Sequence, residues 1–432
     1  MNTEKRKDVP PATRRSRKSR LKMSLLAMSA LFILTTGTVH AAIDPATAQK
    51  LVPERGSGFG YSVSLSADGR TALIGDPMIA QGVAYIFTRA DDGAWSQEVE
   101  LTPSENDKWA SGEITWAFGE TVSLSADANT ALIHGLAGRS ASSEVHVFHR
   151  TATEGWKKEA VWEVSRSLKS FSLSADGKTA IIGGRNTFIY TRTADGKWNR
   201  EAELTKDVAE FGASVALSAD GQTALIGAAG GKLEAGRAYL VTRSADGSWD
   251  LDTYTPLSAS DPALDDGFGL SVSLNSVGDT ALIVAGGSGD LLSVDLLIAE
   301  PKERIETAYI FHVGTKSGAG VSFGFQYAKL QLPDIISNIN ITASQKPFSF
   351  SADGGTILIG NHRHNTPVYL FTGSGKNWTK QELPPPADAN KAPFGRSVSL
   401  SADGNTALVG VGGGSAVYVF TDLVQPSNTP KP

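Results

Sequence analysis

The side chains of this chain best suited to ligand binding are tryptophans and aspartates that lie outside its regular segments. Two indoles occur within residues 103–117, where an accessible aromatic ring can stack on a ligand. Further carboxylates occur within SASDPALDDG and in the stretch before Thr307, where they either bind a cation or a basic ligand or are simply solvated. The candidate ligand-binding residues are therefore Trp109, Trp116, Asp261, Asp265, Asp266, Asp290 and Asp295.

No catalytic or metal-binding motif is visible in the sequence. His362 and His364 are close together, as are His146 and His149, but neither pair has a zinc-ligand spacing. On a strand, His146 and His149 point to opposite faces. The chain has no GxSxG elbow, no phosphate-binding loop and no cysteine. The sequence therefore predicts no enzyme, no metal site and no cofactor.

The candidate residues lie in the stretches between seven copies of one sequence unit. The first copy reads FGYSVSLSADGRTALIG from Phe59, and the last reads FGRSVSLSADGNTALVG from Phe394. Repetition of a unit of this size indicates one supersecondary module copied around an axis or along a rod. The other five copies begin at Phe118, Phe171, Phe211, Phe268 and Phe348.

Each copy predicts four antiparallel strands. The alternating SVSL segment fits a strand with one wetter face, and the apolar ALI segment fits a strand buried on both faces. Runs such as VAYIFTR and WSQEVELT supply the third and fourth strands. Ser-Ala-Asp-Gly and Ala-Asp-Gly form tight turns, both at the same end of the module. The connections at the opposite end differ greatly in length and composition.

The ends of the chain predict a closed ring. The last copy stops at Leu423 without a fourth strand, whereas the segment 46–53 precedes the first copy without a module of its own. Pairing the two removes the exposed edges of an open array. We therefore predict an all-β fold: a seven-bladed β-propeller of four-stranded antiparallel blades, spanning 43–424 and closed by an N-terminal strand that completes the last blade. The alternatives are six or eight blades, if the long segment after Val284 is not an insert within one blade.

Five tryptophans occupy the same place in five predicted fourth strands. They are either stacking platforms for sugars or packing residues at the outer strand of each blade. Repetition at one scaffold position favours packing, because full burial of an indole stabilises the fold by several kcal/mol. The five are Trp95, Trp156, Trp198, Trp249 and Trp378.

The repeated Phe-Gly, the SLSADG turn and the ALIG segment resemble the FG-GAP repeats of the integrin alpha-subunit head and of exported bacterial proteins. The resemblance covers residues 46–423 and implies a seven-bladed propeller engaged in adhesion or ligand binding. Calcium-binding members carry a DxDxDG loop between the first two strands. The corresponding loops here have one Asp at most, so no metal site is carried over.

Residues 1–42 read as a secretory signal peptide. Nine Lys or Arg precede the apolar run LLAMSALFIL, and Val39-His40-Ala41 is a small-x-small cleavage site. We expect cleavage near Ala41 and a periplasmic, cell-surface or secreted protein, with an uncleaved anchor as the alternative. The leader carries nine positive and two negative residues against a total charge of −5, so the remainder carries −12. The Pro-rich tail 425–432 is predicted to be disordered.

An acidic surface argues against nucleic acid and anionic membrane as partners. The sequence predicts a monomeric, non-catalytic binding or adhesion module that recognises a protein or glycan ligand, because recognition tends to reside on loops held by a rigid frame. One alternative is a lectin with repeated sites between blades, and another is a hydrolase or lyase with a site near the axis. The predicted binding connections are 76–82, 103–117, 257–267, 285–306 and 331–347.

Overall fold

A computed structural model describes most of the chain between residues 43 and 424. The predicted leader 1–42 and tail 425–432 lie outside the described residues. The described ranges are 43–79, 81–103, 117–137, 142–164, 168–231, 234–249, 255–262, 267–285, 306–315, 322–332, 348–360, 364, 366–389, 392–413 and 416–424.

The described strands form seven four-stranded antiparallel sheets. In six of them the strands follow chain order from the inner to the outer edge, and in the seventh the N-terminal strand takes the outer edge. Blade 1 contains β2 (Ser62–Leu65), β3 (Thr71–Asp76), β4 (Val83–Arg89) and β5 (Trp95–Leu101). Blade 2 contains β6 (Val122–Leu124), β7 (Thr130–Ala137), β8 (Ser142–Thr151) and β9 (Gly155–Val164). Blade 3 contains β10 (Ser170–Leu173), β11 (Thr179–Gly183), β12 (Thr187–Arg192) and β13 (Trp198–Leu204). Blade 4 contains β14 (Phe211–Leu217), β15 (Thr223–Ala228), β16 (Arg237–Thr242) and β17 (Thr255–Leu257).

The remaining blades follow the same order. Blade 5 contains β18 (Ser271–Leu274), β19 (Thr280–Ala285), β20 (Glu306–Thr315) and β21 (Ser322–Leu332). Blade 6 contains β22 (Phe348–Phe350), β23 (Thr356–Ile359), β24 (Val368–Ser374) and β25 (Asn377–Leu383). Blade 7 contains β26 (Phe394–Leu400), β27 (Ala407–Val411) and β28 (Val417–Phe420), and β1 (Gln49–Leu51) supplies its fourth strand.

The prediction of a closed seven-bladed propeller is confirmed. Strand β1 pairs antiparallel with β28, with Leu51 opposite Val417, so the N-terminal strand completes the last blade. The first strand of each blade lies beside the first strand of the next in a closed cycle. These seven first strands therefore surround the axis of the ring.

The core lies between neighbouring blades. Every residue of β3 is buried, as predicted for a strand covered on both faces. One core cluster joins Phe59 and Tyr85 of blade 1 to Leu408 and Val417 of blade 7. Burying both faces of each second strand in this way makes each blade depend on its neighbours.

At the end that carries the SADG turns, hereafter the turn end, backbone hydrogen bonds close a ring around the axis. One turn peptide of each blade donates to a turn carbonyl of the next, with N···O distances of 2.8 to 3.2 Å. The bond from Ala402 N to Ala67 O joins blade 7 to blade 1 at 2.9 Å. The other six run from Ala67 to Ala126, Asp127 to Ala175, Ala175 to Ala219, Ala219 to Ser276, Ser276 to Ala352 and Ala352 to Ala402.

At the opposite end, hereafter the variable end, glycines bring neighbouring blades into backbone contact. The Ser62 hydroxyl of blade 1 donates to Gly119 O of blade 2 at 2.8 Å, and a Cβ on Gly75 would lie 1.9 Å from the same oxygen. Thus the Phe-Gly of one blade packs on the glycine that ends the ALIG segment of the blade before it. The same apposition joins Gly183 to Gly212, Gly227 to Gly269, Gly360 to Gly395 and Gly410 to Gly60.

Two of the seven repeat copies depart from this arrangement. Phe171 and Phe348 lie opposite Ile182 and Ile359, as Val63 lies opposite Ile74. They therefore occupy the position of Val63 and do not correspond to Phe59, so blades 3 and 6 have no Phe-Gly. In the blades just before them, the usual glycine is replaced by His134 and Val284. A side chain is accommodated at that position only where the next blade brings no glycine against it.

The outer rim is held by tryptophans and by ion pairs between blades. The five repeated tryptophans all pack against core clusters, and Trp249 is buried. The structure therefore gives them the packing role. Glu159 of blade 2 accepts from Arg192 Nε at 2.8 Å and Nη2 at 2.6 Å in blade 3. Equivalent pairs, Arg150 with Glu98 and Arg243 with Glu201, join blades 1 to 2 and 3 to 4.

Candidate functional site

The two ends of the propeller are built differently. In the SADG turns the aspartates serve the turn: Asp68 Oδ1 accepts from the Ser66 hydroxyl at 2.5 Å and from Arg70 N at 2.9 Å. Five further turns repeat the Ser–Asp bond, at Asp127, Asp176, Asp220, Asp353 and Asp403. The connections at the variable end differ in length from blade to blade. The link between the second and third strands joins Gly183 to Thr187 in blade 3 but Ala285 to Glu306 in blade 5.

Most of the predicted ligand-binding residues lie outside the described residues. These are Trp109, Trp116, Asp265, Asp266, Asp290 and Asp295. Asp261 is the one that the structure describes. Its carboxylate accepts from Lys329 Nζ at 2.5 Å and from the Tyr309 hydroxyl at 3.2 Å, and the bond from Lys329 lowers its pKa.

The surroundings of Asp261 are repeated elsewhere in the ring. Asp388 accepts from Lys50 Nζ at 2.8 Å and from the Tyr418 hydroxyl at 2.7 Å. In both cases the aspartate precedes a blade and bonds to a tyrosine of its third strand and a lysine of its fourth. An arrangement that recurs in two blades gives Asp261 a role in fixing the connection to its blade, whether or not it also contacts a ligand.

Polar side chains from three adjacent blades lie at the variable end of the axis. Each follows a Phe-Gly, so it lies where a first strand enters the ring: Tyr61 in blade 1, Glu120 in blade 2 and Arg396 in blade 7. The Arg396 guanidinium carbon lies 3.8 Å from the centroid of the Tyr61 ring, a close cation–π contact. Burial raises the pKa of Glu120, and the positive charge of Arg396 offsets part of that rise.

A buried histidine stands behind Glu120. His134 is 5% exposed, and its Nδ1 lies 3.6 Å from Glu120 Oε2. Neither ring nitrogen has a hydrogen-bond partner among the described residues. Burial, reinforced by the nearby His146, lowers the pKa of His134 to about 4. At neutral pH the imidazole is therefore uncharged, able to donate from one nitrogen and accept at the other.

Sequence reasoning did not identify Glu120, His134 or Arg396. The signal that would have pointed to His134 is the replacement of ALIG by ALIH in the second copy. His146 and His149, three residues apart on β8, have different surroundings. His146 is fully buried against the Phe118 ring, whereas His149 Nδ1 lies 3.2 Å from the Thr130 hydroxyl.

Within the described ranges, no group of three or more His, Asp or Glu side chains is arranged to hold a metal ion. The same residues include no helix long and apolar enough to cross a membrane.

Comparison with known proteins supports the architecture alone. No family model matches the chain, and no curated protein matches its sequence. Hydrazine synthase of Kuenenia stuttgartiensis is similar in structure, with a TM-score of 0.55 and 15% identity over 87% of this chain and 98% of that chain. A functionally unknown protein from Desulfotomaculum acetoxidans DSM 771 has a TM-score of 0.50 and 10% identity over 76% of this chain and 89% of that chain. At such identities the likeness shows that the chain is a β-propeller.

Proposed function

We propose that this protein is an exported, non-catalytic propeller that binds a protein or glycan ligand through the connections at its variable end. The observation that carries the proposal is the difference between the two ends. The turns at the turn end are uniform in sequence, and seven backbone hydrogen bonds between them join neighbouring blades. These turns therefore have a structural role. The connections at the variable end do not take part in this ring of hydrogen bonds between turns. Recognition commonly resides on such loops, mounted on a rigid scaffold.

The resemblance to FG-GAP proteins points the same way, because it implies adhesion or ligand binding. The net charge of −12 for residues 43–432 favours a ligand that is neutral or basic at its contact surface. The inward packing of the repeated tryptophans is less favourable to a lectin that stacks sugars on every blade.

Exchange of one connection tests the proposal. Residues 286–305 are replaced by 77–82, which join the equivalent second and third strands in blade 1. The readout is capture of surface components from candidate partner cells by the immobilised protein, with and without chelator. We expect at least tenfold lower capture, a melting temperature within a few degrees of wild type, and no effect of chelator.

The matched control is Arg70→Gln in a turn at the opposite end, which should leave capture unchanged. Unchanged capture after the exchange, and again after replacement of 104–116, would contradict binding through the variable end. Loss of both capture and folding would show that the exchanged connection is structural.

A second candidate function, a hydrolase or lyase acting at the axis, is favoured by one observation. Glu120 has a raised pKa and lies next to an uncharged histidine, which are the properties of a proton-transfer pair. Turnover of polysaccharide or peptide substrates by the purified chain, abolished in Glu120→Gln, would support catalysis. Equal turnover by that variant would exclude a role for this carboxyl.

A further inference from the structure

Arg396 is a cation that its surroundings leave without an anion. Its guanidinium stacks on the Tyr61 ring, but within the described part of the chain it forms no ion pair. Its Nε is buried and bonds to no acceptor there. The other cation at the equivalent position of a blade, Lys169 in blade 3, is paired with Glu210 at 2.5 Å. A half-buried guanidinium without an anion is costly unless something else supplies the acceptor.

Glu120, the carboxyl that interacts electrostatically with Arg396, is not the missing hydrogen-bond acceptor. The positive charge of Arg396 lowers the pKa of Glu120, but within the described residues the two side chains form no salt bridge. Glu120 instead approaches the imidazole of His134, whose nitrogens both remain unbonded within the described residues. The variable end of the axis therefore combines an arginine fork with hydrogen-bonding groups that are not satisfied by one another.

We propose that Arg396, Tyr61, Glu120 and His134 form a binding site for the oxyanion group of a small ligand, a carboxylate or a phosphate, at the variable end of the axis. The planar guanidinium is suited to a two-oxygen contact with such a group. The Tyr61 ring fixes the plane of the guanidinium, which reduces the entropy lost on binding. The Glu120 carboxyl faces hydroxyl or amino groups next to the oxyanion, and the buried neutral imidazole of His134 lies behind that carboxyl.

The proposal does not rest on recognition by the variable connections, since all four residues belong to first and second strands or lie at their ends. It also differs from the catalytic alternative, because it requires binding without turnover. Arg396, Tyr61 and Glu120 are specificity-determining residues in this proposal, and His134 is a positioning residue that acts through Glu120.

The test is titration of the purified full chain with galacturonate, inorganic phosphate and neutral galactose, monitored by ligand-observed saturation-transfer NMR and calorimetry. We expect saturable binding of at least one of the two anions and none of galactose. Galacturonate alone assigns the site to carboxylates, phosphate alone assigns it to phosphates, and both indicate recognition of the shared oxyanion. The absence of binding by either anion overturns the proposal.

Variants link the signal to the site. Arg396→Gln should weaken binding at least tenfold, whereas Arg396→Lys should retain part of it, because the charge remains but the two-pronged contact is lost. Arg70→Gln at the turn end removes one charge as well and should have no effect. Equal loss in Arg70→Gln would mean non-specific attraction and would refute the site. If Arg396→Gln does not fold, Tyr61→Leu serves instead and must weaken binding at least threefold.

Discussion

The close approach of Gly75 in blade 1 to Gly119 in blade 2 leads to a specific prediction for a substitution at Gly75. The backbone of Gly75 has an ordinary φ, so alanine is acceptable there in isolation. Its Cβ, however, would lie 1.9 Å from Gly119 O and 2.5 Å from Ser62 Oγ, whereas real Cβ contacts essentially never fall below 3.0 Å. Gly75→Ala therefore forces blades 1 and 2 apart by about 1 Å at the variable end.

The magnitude follows from two losses. Overpacking of a close-packed interior costs about 1–3 kcal/mol. Breaking the 2.8 Å bond from the Ser62 hydroxyl to Gly119 O removes about 1 kcal/mol more. We expect Gly75→Ala to lower the free energy of unfolding by about 2–4 kcal/mol, measured as a lower urea midpoint at unchanged m-value.

Gly231→Ala is the matched control, because the nearest atom to its Cβ would be Ala209 Cβ at 3.4 Å and its φ is ordinary. We expect this variant to be as stable as wild type. If Gly75→Ala and Gly231→Ala unfold at the same urea concentration, the apposition of glycines does not determine blade spacing. The explanation for the histidine in blade 2 would then fail with it.

Three further predictions follow from other contacts. The pKa of His134 is lowered from 6.5 to about 4, so on acidification the unfolded chain takes up a proton before the folded chain does. Stability is therefore full above pH 6.5 and falls by about 3 kcal/mol as the pH drops to 4. Urea midpoints across this range should show that slope, and His134→Gln should reduce it. Glu159→Gln weakens the pair with Arg192 and should cost about 1–2 kcal/mol in the same assay, against no change for the exposed Asp195→Asn. Truncation through β1 leaves the edge of β28 unpaired and should raise the mass measured by light scattering. An unaltered monomeric mass would show that pairing of β1 with β28 is not needed to protect this edge.

Glu120 contributes a pH dependence of stability opposite to that of His134. Glu120 has a raised pKa, so its protonated form is favoured in the fold and it contributes stability below its unfolded pKa that is lost as the pH rises. Its effect therefore opposes that of His134 at low pH. Glu120→Gln should steepen the loss of stability on acidification, and a shallower profile would contradict the raised pKa of Glu120.

Much of the architecture was predictable from local sequence. The SADG turns, the buried ALI strands and the missing fourth strand of the last copy each specify a local structure, and seven repetitions make the blade number clear. The pairing of β1 with β28 was predictable because the last copy lacks a fourth strand and the segment before the first copy has no blade of its own. The positions of Phe171 and Phe348 were misassigned, because a repeated phenylalanine identifies a copy without identifying its strand register.

The candidate site at the axis was not predictable in the same way. Arg396, Tyr61 and Glu120 lie in blades 7, 1 and 2, and only closure of the ring brings the last blade beside the first. Each occupies a position that varies between copies and carries no motif. The role of Asp261 depends similarly on Lys329, which lies 68 residues further along the chain, in the fourth strand of the blade.

The sequence by itself determined the repeating module, the number of modules and the means of closure, because turns and burial patterns act over a few residues and are written into every copy. Only the tertiary structure decided which departures from the repeat have consequences. His134 replaces a glycine because the next blade presents no glycine, and it meets Glu120 because both occupy the end of the same blade. Contacts of this kind depend on the distance between chain segments in the closed ring, which no local pattern encodes.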